Sequence, residues 1–169
     1  YTAPQEDGNV KTVVDGVISK LSPSRVEYVQ GCAIRDTTIY EVKKAVEAAQ
    51  RADVVIAVVG GSSARDFKTS YQETGAAITD KEVVSDMESG EGFDRATLSL
   101  LGKQQDLLNA LKATGKPLIV IYIEGRPLDK VWASEHADAL LTAFYPGQEG
   151  GNALADVLFG DYNPSGRLP

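Results

Sequence analysis

Apolar residues recur at intervals of three and four in several stretches of the chain, and this rhythm predicts amphipathic helices with one buried face. In the first stretch the apolar face begins at Val10 and continues to Leu21. Before the second stretch, Thr37 or Thr38 can cap a helix, and Glu41 has the spacing of a capping-box partner for Thr38. The predicted helices cover residues 8–20, 38–51, 102–114, 128–133 and 152–159.

Short apolar runs between these helices predict strands. Residues 53–59 are almost wholly apolar and β-branched, which is typical of a parallel strand covered on both faces. Residues 117–123 and 139–145 form two similar runs. Residues 25–30 instead alternate polar and apolar side chains, which indicates a strand near the edge of a sheet.

The alternation of strands and helices predicts an α/β fold. Strands joined by helical crossovers form a mostly parallel sheet with helices on both faces, which is a three-layer α/β/α sandwich. The length of 169 residues suits a single domain over residues 1–169. A receiver-like or flavodoxin-like domain would fit the same rhythm, but it would not need the long loop that follows the strand at 53–59.

That loop, residues 60–95, has no sustained period and is the predicted functional surface. Connections in compact domains usually run about 4–6 residues, and much longer loops tend to be functional. Open α/β sheets bind their ligands at the carboxyl ends of the strands, where this loop begins. Its charged residues include Arg65, Asp66, Glu73, Asp80, Asp86, Glu88, Glu91, Asp94 and Arg95.

The charge balance argues against two classes of partner. The net charge of -7 at pH 7 disfavours nucleic acid and anionic membrane surfaces, because both attract a basic face. No run of about 18 apolar residues is present, so no membrane insertion is expected. Cys32 is the single cysteine, which excludes an internal disulfide and leaves the compartment open.

Motifs for metals and cofactors are missing from the sequence. Gly60 and Gly61 follow a predicted strand, but neither the dinucleotide nor the P-loop pattern accompanies them. The glycine-rich turn at 146–151 contains Glu149, which would repel a phosphate. His136 is the only histidine, so neither a metal cluster nor a Ser-His-Asp triad is indicated. We therefore expect no metal and no cofactor.

The carboxylates of the long loop are the candidate catalytic groups. Glycosyl transfer needs one carboxyl group that acts as general acid and a second that acts as nucleophile or base. Glu91 stands between Gly90 and Gly92, where the flexible backbone can expose its side chain. Arg95, with its neighbour Asp94, can lock the loop and influence the charge of Glu91. Glu73 is a weaker candidate of the same kind, and solvated loop glutamates are the alternative for both.

Several segments resemble glycoside hydrolase family 3, and in particular the second, α/β-sandwich domain of its β-glycosidases. The resemblance extends over nearly the whole chain, and the block at the end of the sequence is its most specific part. The matching segments are SGEGFDR at 89–95, Leu98, GKQ at 102–104, GRP at 125–127, FYPGQEGG at 144–151, ALADVLFGD at 153–161 and NPSGRLP at 163–169.

The resemblance implies a six-stranded, mostly parallel sheet and a retaining hydrolysis of β-glycosides, with β-glucosides expected first. It also implies a TIM-like barrel domain that precedes the sandwich in the parent protein and carries an aspartate nucleophile. Glu91 matches the general acid/base of the second domain, and Glu73 is held in reserve because members differ in its place within the loop. Arg65, Asp66 and Phe93 are predicted to line the substrate rim.

A chain with only half of a catalytic pair is expected to hydrolyse little or nothing alone. The competing hypothesis is a non-catalytic module that binds oligosaccharide or docks another domain, with the loop as its gripping surface. The compartment is undetermined, and a periplasmic or secreted location would suit the parent enzyme.

Overall fold

The computed structural model describes residues 8–63, 70–74, 77–78, 85–89 and 95–167. Within these ranges the chain forms five α-helices, five short strands and one 3₁₀ turn at Pro23–Arg25. The helices are α1 (Val13–Lys20), α2 (Val42–Arg51), α3 (Gln104–Lys112), α4 (Val131–His136) and α5 (Gly150–Phe159). The strands are β1 (Val55–Gly60), β2 (Ser70–Tyr71), β3 (Ala77–Ile78), β4 (Leu118–Ile123) and β5 (Ala139–Thr142).

The chain divides into two compact units, one of Tyr1–Tyr28 with Tyr145–Pro169 and the other of Val29–Phe144. In the first unit, α1 packs against α5 through two glycines. A Cβ on Gly16 would lie 2.0 Å from the carbonyl oxygen of Gly151, and a Cβ on Gly151 would lie 1.9 Å from that of Thr12. The two helix backbones therefore approach each other more closely than any side chain at these positions would allow.

Polar contacts fix the ends of α1. Thr12 and Asp15 form a capping box, in which the Thr12 hydroxyl accepts from the Asp15 amide and the Asp15 carboxylate accepts from the Thr12 amide. Hydrogen bonds from the Thr12 hydroxyl, and then from the Thr12 amide, to the Asp15 carboxylate lower the pKa of Asp15. At the other end, Lys20 lies 2.5 Å from Asp156 and 2.7 Å from Asp161, and both carboxylates raise the pKa of the lysine.

In the second unit, β1, β4 and β5 form a parallel sheet in that order. Val55 pairs with Leu118 at one end of the β1–β4 ladder and Gly60 pairs with Ile123 at the other. All three strands therefore point their carboxyl ends toward the same edge. β2 and β3 form a separate antiparallel pair within the long loop.

The core lies on one face of this sheet. Alternate residues of β1 and β4 point toward α2, α3 and α4, as expected from the two-residue period of a strand. Leu108, Leu118 and Val120 are fully buried there. Burial of such a side chain stabilises the fold by about 1.5–3 kcal/mol, so the strand from which the loop departs is firmly packed into the core.

The structure confirms the α/β class and the parallel sheet, but it corrects the number of strands. The parallel sheet has three strands over the described residues, against the six that we expected. The 3₁₀ turn ends at Arg25, and residues 26–30 have no ladder partner in the part of the chain that the structure describes, so the predicted strand at 25–30 is not found there. β5 ends at Thr142, because Phe144 turns into the left-handed region with φ 52°.

The second predicted helix also begins later than expected. α2 starts at Val42, and Glu41 at its N-cap makes no side-chain capping bond. Thr38 instead donates both its amide and its hydroxyl to the carboxylate of Asp36, at 2.8 and 2.6 Å. That local turn competes with the capping box for the same threonine.

Candidate active site

The candidate site begins where β1 ends. The Gly61 amide donates to the Ile123 carbonyl of β4 at 2.9 Å, so the ladder continues one residue past the strand. Gly60 has φ +139°, and a Cβ there would lie 1.8 Å from the same carbonyl oxygen. Only glycine fits this close approach of two backbones, which explains the first of the two glycines at the start of the long loop.

Gln104 holds the end of β1 from the opposite side. Because Gly61 donates to β4, the Gly60 amide points to the open edge of β1, and it donates there to Oε1 of Gln104 at 2.7 Å. Nε2 of the same side chain donates to the carbonyls of Gly60, Ile34 and Leu101 at 2.9, 3.2 and 3.2 Å. A single buried amide therefore satisfies both backbone groups of Gly60 and fixes the direction in which the loop leaves the sheet.

Residues 85–89 bring the loop back beside β1. Ser62 and Met87 form a parallel bridge, and the Ser62 carbonyl accepts from the Glu88 and Ser89 amides at 2.9 and 3.3 Å. Ser85, Glu88 and Ser89 are buried although all three are polar. The returning segment is thus fixed to the scaffold immediately before residue 90.

A buried ion pair joins Glu88 to Arg95. Nη1 of Arg95 donates to Oε2 of Glu88, and the two side chains are only 6% and 1% exposed. Arg95 also donates from Nε to the Thr97 carbonyl at 3.0 Å and from Nη2 to the Ser99 carbonyl. The carboxylate of Glu88 lies directly over Gly61, where a Cβ would be 1.8 Å from Oε1.

A second buried carboxylate, Glu124, follows β4 at the same edge. It accepts from the Leu128 amide at 3.0 Å and from Nζ of Lys130 at 2.5 Å. Lys130 also lies 4.9 Å above the centre of the Tyr122 ring. Burial, followed by the charges of Asp129 and Glu124, raises the pKa of Tyr122 to about 12. Glu124 thus braces the turn that leads from β4 into α4.

The turn after β4 also contacts the far end of the long loop. The Asp129 amide donates to the Leu98 carbonyl at 2.8 Å, only three residues beyond Arg95. The loop is therefore held to β1 through Ser62 and to the β4–α4 turn through Leu98. Both anchors lie at the carboxyl edge of the sheet, where α/β proteins bind ligands.

Four of the five predicted site residues lie outside the described residues: Glu91, Arg65, Asp66 and Phe93. Glu73 is described and stands exposed in a turn after β2. The roles of all five stay predictions. Among the described residues, Gln104 and the Glu88–Arg95 and Glu124–Lys130 pairs define the geometry of this edge of the sheet, and the sequence analysis assigned none of them these contacts.

The missed residues left partial signals. Glu88 and Arg95 have opposite charges at the two ends of the glycine-rich segment, which suggests a pair once the loop is known to fold back. Sequence reasoning instead linked Arg95 with its neighbour Asp94, which lies beyond the described ranges. Helical spacing places Gln104, and not Gln105, on the same face as Leu107, Leu108 and Leu111, but nothing in the sequence shows that its side chain reaches Gly60.

The buried acids of the described residues are structural counter-charges. Glu88 faces a guanidinium and Glu124 faces an ammonium group, and neither is open to solvent. A proton donor for an external substrate needs an accessible carboxyl group, which these two do not offer.

Within the described part of the chain, no helix has the length and apolar character needed to cross a membrane.

Comparisons with known proteins assign the family. The family model of the glycosyl hydrolase family 3 C-terminal domain matches residues 3–169. A periplasmic β-glucosidase of Salmonella typhimurium is 44% identical over 76% of this chain and 14% of its own length. A β-xylosidase of Formosa agariphila is 36% identical over 93% of this chain and 19% of its own length. The chain therefore spans less than a fifth of either relative.

Solved structures agree with the sequence relatives. A GH3 exo-β-xylosidase in complex with a xylobiose aziridine probe matches 95% of this chain and 18% of its own, with a TM-score of 0.74 and 27% identity. A β-glucosidase from Erythrobacter marinus matches 92% of this chain and 22% of its own, with a TM-score of 0.71 and 32% identity. The chain belongs to the glycosyl hydrolase family 3 C-terminal domain family.

Proposed function

We propose that this chain supplies the general acid/base of a retaining β-glycosidase and that Glu91 is the residue. The observation that carries the proposal is the anchoring of the loop at the carboxyl edge of the sheet. The ion pair between Glu88 and Arg95 fixes the chain before and after residues 90–94, the segment of the sequence that contains Glu91. Family membership supplies the reaction class, because the matched relatives are β-glucosidases and β-xylosidases.

The second carboxyl group comes from another part of the protein. We propose a TIM-like barrel domain that carries an aspartate nucleophile about 5–5.5 Å from Glu91, the separation of a retaining mechanism. Glu91 protonates the glycosidic oxygen while the nucleophile attacks, and it then deprotonates the water that releases the sugar. Alone, this chain hydrolyses little or nothing. In the full protein this α/β sandwich is the second domain.

The substrate is a terminal β-glycoside of an oligosaccharide. We favour β-glucosides over β-xylosides, since the Salmonella β-glucosidase is the more identical of the two relatives. Arg65, Asp66 and Phe93 line the rim that receives the sugar. Glu73 is the reserve acid/base because it shares the loop and is exposed.

The test is Glu91→Gln in the full-length protein, with Glu73→Gln as the matched variant in the same loop. We expect Glu91→Gln to lower kcat/KM by about 10²–10⁴-fold for alkyl glycosides, which need protonation of the leaving group. Activated aryl glycosides should keep their kcat/KM. A uniform loss with all leaving groups, or none, would contradict the role of Glu91, and the same pattern in Glu73→Gln instead would transfer the role.

The alternative function is a non-catalytic module that binds sugar or docks a neighbouring domain. It would explain a loop that presents polar groups at a ligand edge without any chemistry. Titration of the isolated chain with oligosaccharides separates the two, together with the activity of the Glu91 variant. Saturable binding with unchanged turnover in Glu91→Gln would favour the binding module.

A further inference from the structure

The Glu88–Arg95 pair closes a short loop of chain. The two residues are seven positions apart, and their side chains meet inside the protein. Because only six residues separate the paired side chains, the ion pair fixes the distance that this short segment must span. Residues 90–94 are therefore the part of the chain on which this contact acts most directly.

Each end of the closed segment has its own link to the sheet. On the Glu88 side, the amides of Glu88 and Ser89 donate to the Ser62 carbonyl beyond β1. On the Arg95 side, the guanidinium donates to the carbonyls of Thr97 and Ser99. Leu98, between them, accepts from the amide of Asp129. The ion pair thus connects two loop segments, residues 88–89 and 95–99, each of which is anchored by its own hydrogen bonds.

Stability alone explains this pair poorly. Oε1 of Glu88 is buried and has no hydrogen-bond partner among the described residues, so only Oε2 of this carboxylate is paired there. Apolar residues of similar volume often replace a buried ion pair with no loss of stability. Apolar residues would not replace the hydrogen bonds of the Arg95 guanidinium, which donates to the Glu88 carboxylate and to the carbonyls of Thr97 and Ser99 in a fixed planar geometry.

We propose that Glu88 and Arg95 are positioning residues, which hold the ends of residues 90–94 so that the loop's proton donor meets the glycosidic oxygen. The inference rests on the proposed role of Glu91 and adds to it the two residues that set its placement. Gly61 belongs to the same arrangement, because only the lack of a Cβ there leaves room for the Glu88 carboxylate. A displacement of about 1 Å in a catalytic group can cost about 10²-fold in rate.

The test uses the full-length protein and the double variant Glu88→Met/Arg95→Met, which removes both charges and keeps most of the volume. We expect kcat/KM for alkyl glycosides to fall at least about tenfold, while KM and the rate with activated aryl glycosides change little. The dependence of log kcat/KM on the leaving group's acidity should become steeper than in the wild type, because proton donation is impaired. Arg95→Lys keeps the charge without the fork and should be intermediate; it also serves if the double variant fails to fold.

Leu111→Ala is the matched control for lost stability, since Leu111 is buried in α3 two turns from Gln104. It should lower the unfolding temperature and leave the leaving-group dependence unchanged. The proposal is wrong if the double variant and Arg95→Lys both keep the wild-type dependence, or if Leu111→Ala steepens it equally. Glu91→Gln separates the two hypotheses: when it steepens the dependence and the double variant does not, only the positioning role fails. When Glu91→Gln has no such effect, the proposed acid/base itself fails.

Discussion

The carboxylate of Glu88 occupies the space that a side chain at Gly61 would need, since a Cβ on Gly61 would lie 1.8 Å from Oε1. Gly61→Ala must therefore displace the Glu88 side chain from the position in which it pairs with Arg95. We expect the variant to lose about 1–3 kcal/mol of stability, the usual cost of overpacking a well-packed site. Urea unfolding of the variant and the wild type would measure it.

A double-mutant cycle identifies the cause of that loss. In a Glu88→Ala background the obstructing carboxylate is absent, so Gly61→Ala should cost clearly less than it does alone. Equal costs in both backgrounds would mean that Gly61 is required for some reason other than Glu88. Gly166→Ala is the control for a glycine with open space around it, and it should be close to neutral.

Gln104 is expected to be a polar residue of α3 whose loss destabilises the fold strongly. Gln104→Leu keeps the size of the side chain but leaves the amide and carbonyl of Gly60 without their partner. A buried backbone group left unsatisfied costs about 1–3 kcal/mol, and two such groups are affected here. Thermal unfolding should show a large decrease in the midpoint.

The neighbouring Gln105 provides the matched control. Its side chain bonds only to Asn109 on the same helix among the contacts described, so Gln105→Leu removes one exposed hydrogen bond. We expect a change of less than about 0.5 kcal/mol, as is usual for surface substitutions. If the two glutamine variants unfolded alike, the bonds to Gly60 would not stabilise the fold as the geometry indicates.

The sequence predicted those elements whose pattern is local. The runs that became β1 and β4 are short, apolar over nearly their full length and rich in β-branched residues, and together these features indicate buried strands. The run at 139–145 was extended too far, because the turn at Phe144 depends on a backbone conformation that phenylalanine rarely adopts. The stretch at 25–30 has the alternation of a strand, but pairing depends on a neighbour that the sequence does not name.

The starting point of the long loop was predictable, but the contacts that anchor the loop were not. Gly60 and Gly61 lie at the carboxyl end of β1, where the sequence predicts that the loop begins. The Glu88–Arg95 contact depends on how residues 85–89 return beside Ser62, which is a tertiary arrangement. Gln104 belongs to a helix more than forty positions away from Gly60, and no local pattern connects the two.

Close packing of α1 on α5 gives a prediction that opposes helix propensity. Alanine in a helix is favoured over glycine by about 1 kcal/mol, so Gly151→Ala would stabilise a free helix. In this chain its Cβ would lie 1.9 Å from the Thr12 carbonyl oxygen, a backbone atom that cannot move aside without displacing α1. We expect a net loss of stability, measured by urea unfolding, whereas Gly166→Ala has no neighbour to displace. A stabilised Gly151→Ala would show that the two helices can separate freely.

Acid sensitivity should trace in part to Asp138, which bonds Leu118 twice. Its amide donates to the Leu118 carbonyl at 2.8 Å, and its carboxylate accepts from the Leu118 amide at 2.8 Å. That amide, followed by the charge of Lys112, lowers the pKa of Asp138 from its ordinary 3.8. A carboxyl group whose pKa is lowered by folding stabilises the folded state fully at a pH above its unfolded-state pKa. This contribution is lost as the pH falls through the unfolded-state pKa toward the lower pKa of the folded state.

Asp138→Asn should therefore be less stable than the wild type at neutral pH, and the difference should shrink as the pH is taken below 3.8. Asparagine can still accept from Leu118, so the comparison isolates the charge of the acceptor rather than the hydrogen bond itself. Asp53→Asn is the control, because Asp53 is exposed and forms no side-chain bond among the contacts described. The measurement is the free energy of unfolding across the acid range. The assignment is contradicted if the differences between each variant and the wild type shrink equally for Asp138→Asn and Asp53→Asn. It is also contradicted if the Asp138→Asn difference stays constant with pH, because an uncharged contribution does not titrate.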